Sequence, residues 1–201
     1  AKYEITLVAV SNTGNTYDGT EKEAKGVVTD KFTFDGVEYT VSGFTTSDPK
    51  QVNAGTYPNT ITAAEGGFVV TDPDNNNVTA QFTVTPQNGT LEIAKREITV
   101  TATGGSKEYD GSAITAEETG YQITSGTLAA GDEETVVLSG ERTLVGTATA
   151  KVESVTIKRG EADVTKNYTI TPVNGTLTIT NREAKYEITL VAVSNTGNTY
   201  D

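Results

Sequence analysis

Apolar residues alternate with polar ones at the start of the chain, where Tyr3, Ile5 and Leu7 share one parity, and again at Ile98 and Val100. An extended strand shows alternate residues to one face, so both stretches predict half-buried β-strands. The same period-two pattern recurs in Phe82/Val84 with Leu91/Ile93 and in Tyr168/Ile170 with Leu177/Ile179. Each of these pairs is joined through an Asn-Gly, Asn88-Gly89 in Pro86-Gln87-Asn88-Gly89 and Asn174-Gly175 in Pro172-Val173-Asn174-Gly175. Asn-Gly tolerates the positive φ of tight turns, so both segments predict closing hairpins. Lys31-Phe32-Thr33-Phe34 and Glu38-Tyr39-Thr40-Val41 predict a further hairpin around Asp35-Gly36. Val136-Val137-Leu138 and Thr147 to Val152 read as strands, whereas Ala113 to Glu118 fits either a strand or a short helical turn.

The pattern repeats at two levels. Residues 184–201, AKYEITLVAVSNTGNTYD, are identical to residues 1–18, a period of 183. Within that period, Asn77 to Ile93 matches Asp163 to Ile179 at an offset of 86, and Tyr17-Asp18-Gly19-Thr20 matches Tyr109-Asp110-Gly111-Ser112 at an offset of 92. Side-chain parity switches from odd (Leu91, Ile93) to even (Ile98, Val100) across Ala94-Lys95-Arg96-Glu97, which marks a seam. Thr180-Asn181-Arg182-Glu183 is expected to act as the corresponding seam at the far end. The expected organisation is therefore a first domain at 1–95, a second at 96–183, and at 184–201 the opening strand of another copy. Linkers this short, without Gly or Ser runs, limit swing between neighbours. Domains of roughly 90 residues bury a modest core without disulfide or metal.

Composition narrows the chemistry. Apolar residues make up 35% of the 201, and Cys, His, Met and Trp are absent, which removes thiol chemistry, the commonest metal ligand and the commonest general base. No enzyme is expected, and no cofactor. The absence of cysteine suits the cytosol as well as the walls of Gram-positive bacteria. The net charge of −12 is spread over both parts: residues 1–95 hold 6 Lys against 12 Asp or Glu, and 96–183 hold 8 Lys or Arg against 13. A surface of this sign repels nucleic acid and anionic lipid, so neither nucleic acid nor direct membrane binding is expected. No apolar run approaches the ~20 residues of a membrane span. The chain is expected to be a piece of a longer array, with export signals and anchors outside it.

The Tyr-Asp-Gly segments and the endings Phe82-Thr83-Val84-Thr85…Asn88-Gly89-Thr90-Leu91 and Asn167-Tyr168-Thr169-Ile170…Asn174-Gly175-Thr176-Leu177 resemble the YDG and MBG-type repeats of bacterial surface adhesins. The likeness spans both domains. It implies β-grasp-related modules and an extracellular, wall-attached role in adhesion or spacing, with no ligand-binding residue carried over. The fold class expected is mostly β, two tandem homologous domains, β-grasp-like or β-sandwich-like, in an extended rod. Strands of ~10 residues rising ~3.3 Å each make a domain about 35 Å long and a two-domain unit about 70 Å. The function expected is a structural spacer in a repetitive adhesin. The alternative is an array of repeats that weakly hold host mucin, glycan or matrix protein through avidity.

Candidate residues have structural readings beside the functional ones. An exposed Tyr next to a carboxylate suits a sugar, but Tyr17 and Tyr109 more simply anchor the turns made by Asp18-Gly19 and Asp110-Gly111. Asp72, Asp74 and Asn76 have the alternate spacing of a calcium loop, yet Asn77 stands where that loop needs Gly, and Thr83 where it needs a bidentate acid. A polar turn is the expectation there. Asp132-Glu133-Glu134 reads as a solvated loop tip, and the adjacent Lys166-Asn167 raises an intramolecular isopeptide bond. The partners expected are neighbouring repeat domains, and residues 184–201 are expected to pack end to end against another molecule.

Overall fold

A computed structural model describes residues 2–194, 196 and 197. It is mostly β, with 56% of residues in strands and 5% in helix. No helix among the described residues is long and apolar enough to cross a membrane.

Every strand pairing among the described residues lies either within 2–94 or within 96–180, here called the first and second halves. The halves share one plan. In the first, Tyr3–Val8 runs parallel to Phe82–Gln87, with Tyr3 opposite Phe82 and Ile5 opposite Val84. In the second, Arg96–Ala102 runs parallel to Tyr168–Val173, with Arg96 opposite Tyr168 and Ile98 opposite Ile170. The next strand then pairs, again parallel, with the last: Asn12–Thr16 with Gly89–Ala94, and Gly105–Glu108 with Gly175–Thr180. The final strand is flanked on its other side by an antiparallel neighbour, Gly55–Asn59 in the first half and the start of Gly146–Arg159 in the second. Because opening and closing strands run the same way, the chain enters each half at one end and leaves at the other.

This pairing corrects the two predicted closing hairpins. Phe82–Gln87 and Gly89–Ala94 do not pair with each other; they belong to different sheets and Asn88 alone forms the corner between them. Asn174 does the same between Tyr168–Val173 and Gly175–Thr180. The chain turns a corner without reversing, and the Asn-Gly pair serves that geometry instead. Asn88 Oδ1 accepts the Ile61 N–H at 3.0 Å, and Asn174 Oδ1 accepts the Val152 N–H at 3.2 Å. Neither Gly89 nor Gly175 adopts positive φ. A Cβ on Gly89 would instead strike the carbonyls of Ala9 and Val10, and one on Gly175 the carbonyl of Ala102. The opening strand turns its own corner against these glycines, so the requirement is close backbone approach.

Other expectations hold. Lys31–Phe34 and Val37–Ser42 form the hairpin, with Asp35 (φ 50°) and Gly36 (φ 80°) in the double-positive conformation of a type I′ turn. Ala113 to Glu118 resolves into both alternatives: Ile114–Thr115 is a strand, and Ala116–Thr119 is one helical turn started by a Thr115/Glu118 capping box.

Two apolar clusters fill the molecule. One gathers Ile5, Leu7, Ala9, Val41, Ile61, Val70 and Phe82 of the first half. The larger gathers Ile98, Val100, Leu138, Ile157, Leu177 and Ile179 of the second half, and it also takes in Tyr17, Ala24, Leu91 and Ile93 of the first. Strand pairing stops at Lys95, but buried packing crosses it. Residues 184–194 pair with no strand of their own chain, and Ile188, Leu190 and Val193 are largely exposed. The counterparts of Ile188 and Leu190, Ile5 and Leu7, are fully buried. Of the expected end-to-end segment, residues 195 and 198–201 lie outside the described residues.

Candidate functional site at the seam

The first half ends in a tyrosine. The Tyr17 N–H bonds the Ala94 carbonyl at 2.9 Å, which fixes the end of Asn12–Thr16 to the end of the last strand and turns the Tyr17 ring toward the second half. There the ring is 1% exposed and meets Tyr168 edge-on, 5.5 Å between centroids at 74°. The Arg159 guanidinium lies over the ring, 5.7 Å from the centroid. Aromatic edge contacts add about 0.5–1.5 kcal/mol beyond burial, and a cation over a ring adds a comparable amount. The Tyr17 ring thus packs against the neighbouring half as well as beside its own turn.

Arg159 is the centre of the polar network. Its Nε bonds Asp132 Oδ1 at 2.6 Å, its Nη2 the Ala130 carbonyl at 3.0 Å, and its Nη1 crosses the seam to the Gly19 carbonyl at 2.6 Å. Gly19 sits at φ +78°, and a Cβ there would overlap the guanidinium. Glycine is needed at this corner of the Tyr-Asp-Gly turn so that the arginine can reach the backbone. Asp132 takes a second bond from the Tyr168 hydroxyl at 2.5 Å, and that hydroxyl accepts the Ala129 N–H at 2.9 Å. The Asp132 side chain is wholly buried. This corrects the reading of Asp132-Glu133-Glu134 as a solvated tip: Asp132 is an internal counter-charge, while Glu133 and Glu134 begin the strand Glu133–Ser139.

Two further contacts complete the seam. Asn167, fully buried, accepts the Ala54 N–H at 3.0 Å and donates to Asn53 Oδ1 at 3.0 Å. Its amide thus faces the first half and is occupied there, which leaves the adjacency of Lys166 a matter of sequence alone. Arg96 holds Thr127 through its hydroxyl at 2.6 Å and its carbonyl at 2.5 Å, and reaches the Tyr17 carbonyl at 3.4 Å. Beside this arginine an open groove is lined by Thr16, Lys95, Gly126 and Thr127.

Burial and the adjacent Asp132 charge raise the Tyr17 phenol above its usual 10.0. Burial first, then the hydrogen bond to Asp132, pushes Tyr168 up to about 12. The Tyr17 hydroxyl, buried beside Asp132 and Asn167, makes no hydrogen bond of ordinary geometry among the described residues.

The second Tyr-Asp-Gly segment repeats the local geometry without the neighbour. The Tyr109 N–H bonds the Thr180 carbonyl at 2.9 Å, as Tyr17 bonds Ala94. Asp110 accepts the Ser112 N–H and hydroxyl, both at 2.8 Å, and pairs with Lys107 at 3.2 Å; these bonds hold its carboxyl down at about 2. Asp18 is lowered likewise, by Lys22 and then by Thr20. Gly111 has φ +87° and open space around it. Tyr109 is only partly buried.

At the loop weighed for calcium, Asp72 spends its oxygens locally. Oδ1 accepts the Asp74 and Asn76 N–H groups at 3.0 and 2.8 Å, and Oδ2 accepts the Asn76 side-chain amide at 3.0 Å. This is a self-bonded polar turn, with Asn75 at φ 63°.

Sequence reasoning singled out Tyr17, Asp18 and Gly19, gave Asp132 and Asn167 other roles, placed Arg96 in the seam without a contact, and missed Arg159. One signal was available in the aligned repeats. Where the first half has Gln81-Phe82, the second has Asn167-Tyr168: the shortened amide meets the neighbour, and the added hydroxyl binds Asp132 beneath the Tyr17 contact. Compared with protein-family models, curated proteins and solved structures, the chain matches none of them.

Proposed function

We propose that this chain is a length of stalk: two tandem homologous domains, 1–95 and 96–183, repeated head to tail as a rod-like spacer in a surface protein of the YDG and MBG adhesin type. The observation that carries this reading is the Tyr17 seam, where one domain's exit point is clasped by the next domain's Tyr168, Arg159 and Asn167. A linker of one residue, Lys95, between the strands Gly89–Ala94 and Arg96–Ala102 leaves little slack for hinging. Parallel opening and closing strands send the chain through each domain from end to end, so added copies add length. The identity of 184–201 with 1–18 supports more than one copy. A wall-attached, extracellular location of Gram-positive type belongs to the same proposal through the resemblance of the repeats.

The adhesive alternative has one observation in its favour. Tyr3, 42% exposed and hydrogen-bonded to Asp35, lies 5.0 Å from the half-buried Phe34 at a tilt of 41°, an exposed aromatic edge that a sugar could contact. Binding of residues 1–183, and of several linked copies, to mucins, glycans and matrix proteins on a sensor surface separates the two. The spacer reading expects no saturable binding by either; binding that strengthens with copy number would replace it with the adhesive reading.

A further inference from the structure

The seam between the halves has a counterpart at the far end of the second half. Tyr109 occupies the position of Tyr17, fixed by the same bond from its N–H to the carbonyl of the last strand residue. Leu144 and Val145 occupy the positions of Asn53 and Ala54: each pair follows a two-residue strand, Lys50–Gln51 or Glu141–Arg142, and precedes a strand that opens on glycine. In the first half this face is covered by the second. In the second half the same face is bare, and it carries apolar groups where the first carries an amide and a methyl: Leu144 is 66% exposed and Val145 43%.

This loop has a fixed shape. Arg142 bonds the carbonyl of Leu144 through Nε and that of Val145 through Nη2, both at 2.7 Å, so the arginine braces the loop from behind and two apolar side chains project outward. Exposed large aliphatics on a braced loop beside a half-buried tyrosine have the composition of a contact surface.

The residues that follow indicate the occupant. Tyr109, Val145, Arg182, Lys185 and Tyr186 line one open cleft, and the Arg182 guanidinium stacks on Tyr186 at 4.3 Å. Tyr186 is the copy of Tyr3, and the strand registers make Tyr3 the counterpart of Arg96, since Tyr3 lies opposite Phe82 and Arg96 opposite Tyr168. Arg96 is the residue that touches Tyr17 at the first seam. The copy of Tyr3 thus lines the same open cleft as Tyr109, on the side that Arg96 takes at Tyr17.

We infer that the face formed by Tyr109, Leu144 and Val145 is a docking site for the opening half of a second copy of this unit, presented through its Tyr3 edge. The inference rests on the tandem reading above. The contact is heterologous, tail face to head face, so it propagates along an array without closing. It differs from the Tyr17 seam in character, being apolar and aromatic without a buried ion pair. It also has a longer tether: Ile93 and Ile98 are five positions apart, whereas Ile179 and Ile188 are nine.

The test uses a chain of two complete units, residues 1–183 followed by a second 1–183, beside the present chain. Hydroxyl-radical labelling of Tyr109 and Leu144 is read by mass spectrometry. In the two-unit chain one copy of each peptide is covered and one is free, so labelling is expected to fall to about half. Leu144→Asn with Val145→Ala in the first unit, which installs the first half's own residues, should restore Tyr109 labelling. It should lower the Tm of the two-unit chain by about 2–4 °C while leaving the present chain within about 1 °C. Equal labelling in both chains would overturn the inference, and so would labelling that falls only when a glycan or mucin is added. Sensor binding and labelling are read independently, so the spacer reading and the docking inference fail separately.

Discussion

Tyr17 and Tyr168 touch edge to face, yet their hydroxyls have opposite environments. Tyr168 both donates to Asp132 and accepts from Ala129, whereas Tyr17 is buried without a bond of ordinary geometry. Removing the first hydroxyl strands a buried carboxylate oxygen and a backbone N–H; removing the second strands nothing. Tyr168→Phe is therefore expected to destabilise the protein by about 1–3 kcal/mol, and Tyr17→Phe to be neutral or stabilising by up to about 1 kcal/mol, in urea unfolding. Tyr17→Ala removes the ring itself and is expected to cost about 3–5 kcal/mol. Loss of stability in Tyr17→Phe matching that in Tyr168→Phe would show that the Tyr17 hydroxyl is bonded after all. The alkaline limb follows from the same residues. The Tyr168 phenol is raised in the folded state, to about 12 against the ordinary 10.0, so its contribution is complete below about pH 10 and is lost as pH rises through 12. Tyr168→Phe should flatten the fall in stability between those values.

The elements of this fold were largely legible, their pairing much less so. Alternation gave strands in which Ile5, Leu7, Ile98 and Val100 are buried as expected, while Tyr3, on the same face, stays 42% exposed at the strand's start. The Asp35-Gly36 turn was legible because a two-residue loop carries its own conformational signature. The Asn-Gly segments carried the same letters and meant something else. Whether a chain reverses or turns a corner at Asn88 depends on which strand lies alongside, here Tyr3–Val8 from nearly eighty positions earlier. Nothing local encodes that partner. The seam was hidden for the same reason, since Gly19 and Arg159 are 140 positions apart. The corner account makes a discriminating prediction. Gly89→Ala and Gly175→Ala should each destabilise by about 1–3 kcal/mol through backbone collision. Gly111→Ala, with space around it and only its φ against it, should cost about 1 kcal/mol. Comparison of the three by denaturant unfolding checks this; equal costs would favour a simple turn at all three positions.

At the scale of the molecule, two seams of different design alternate along the proposed array. The inner one has one linking residue, an Arg159–Gly19 bond and two Asn167 contacts across it; the outer one has a longer tether and an apolar face. Separating the halves would leave the fully buried Asn167 amide without its Ala54 and Asn53 partners and Arg159 without the Gly19 carbonyl, which costs about 1–3 kcal/mol for each buried group left unpaired. Under the proposed spacer reading, such a stalk would be stiffer within each unit than between units. On the same reading, copy number would set reach, and a charge of −12 per 201 residues would keep neighbouring stalks apart. The measurement that bears most directly on this account is small-angle scattering from chains of one, two and four units. If the units form a spacer, the maximum dimension grows linearly, by about 70 Å per unit. Growth with about the square root of copy number, as for freely hinged beads, would contradict it.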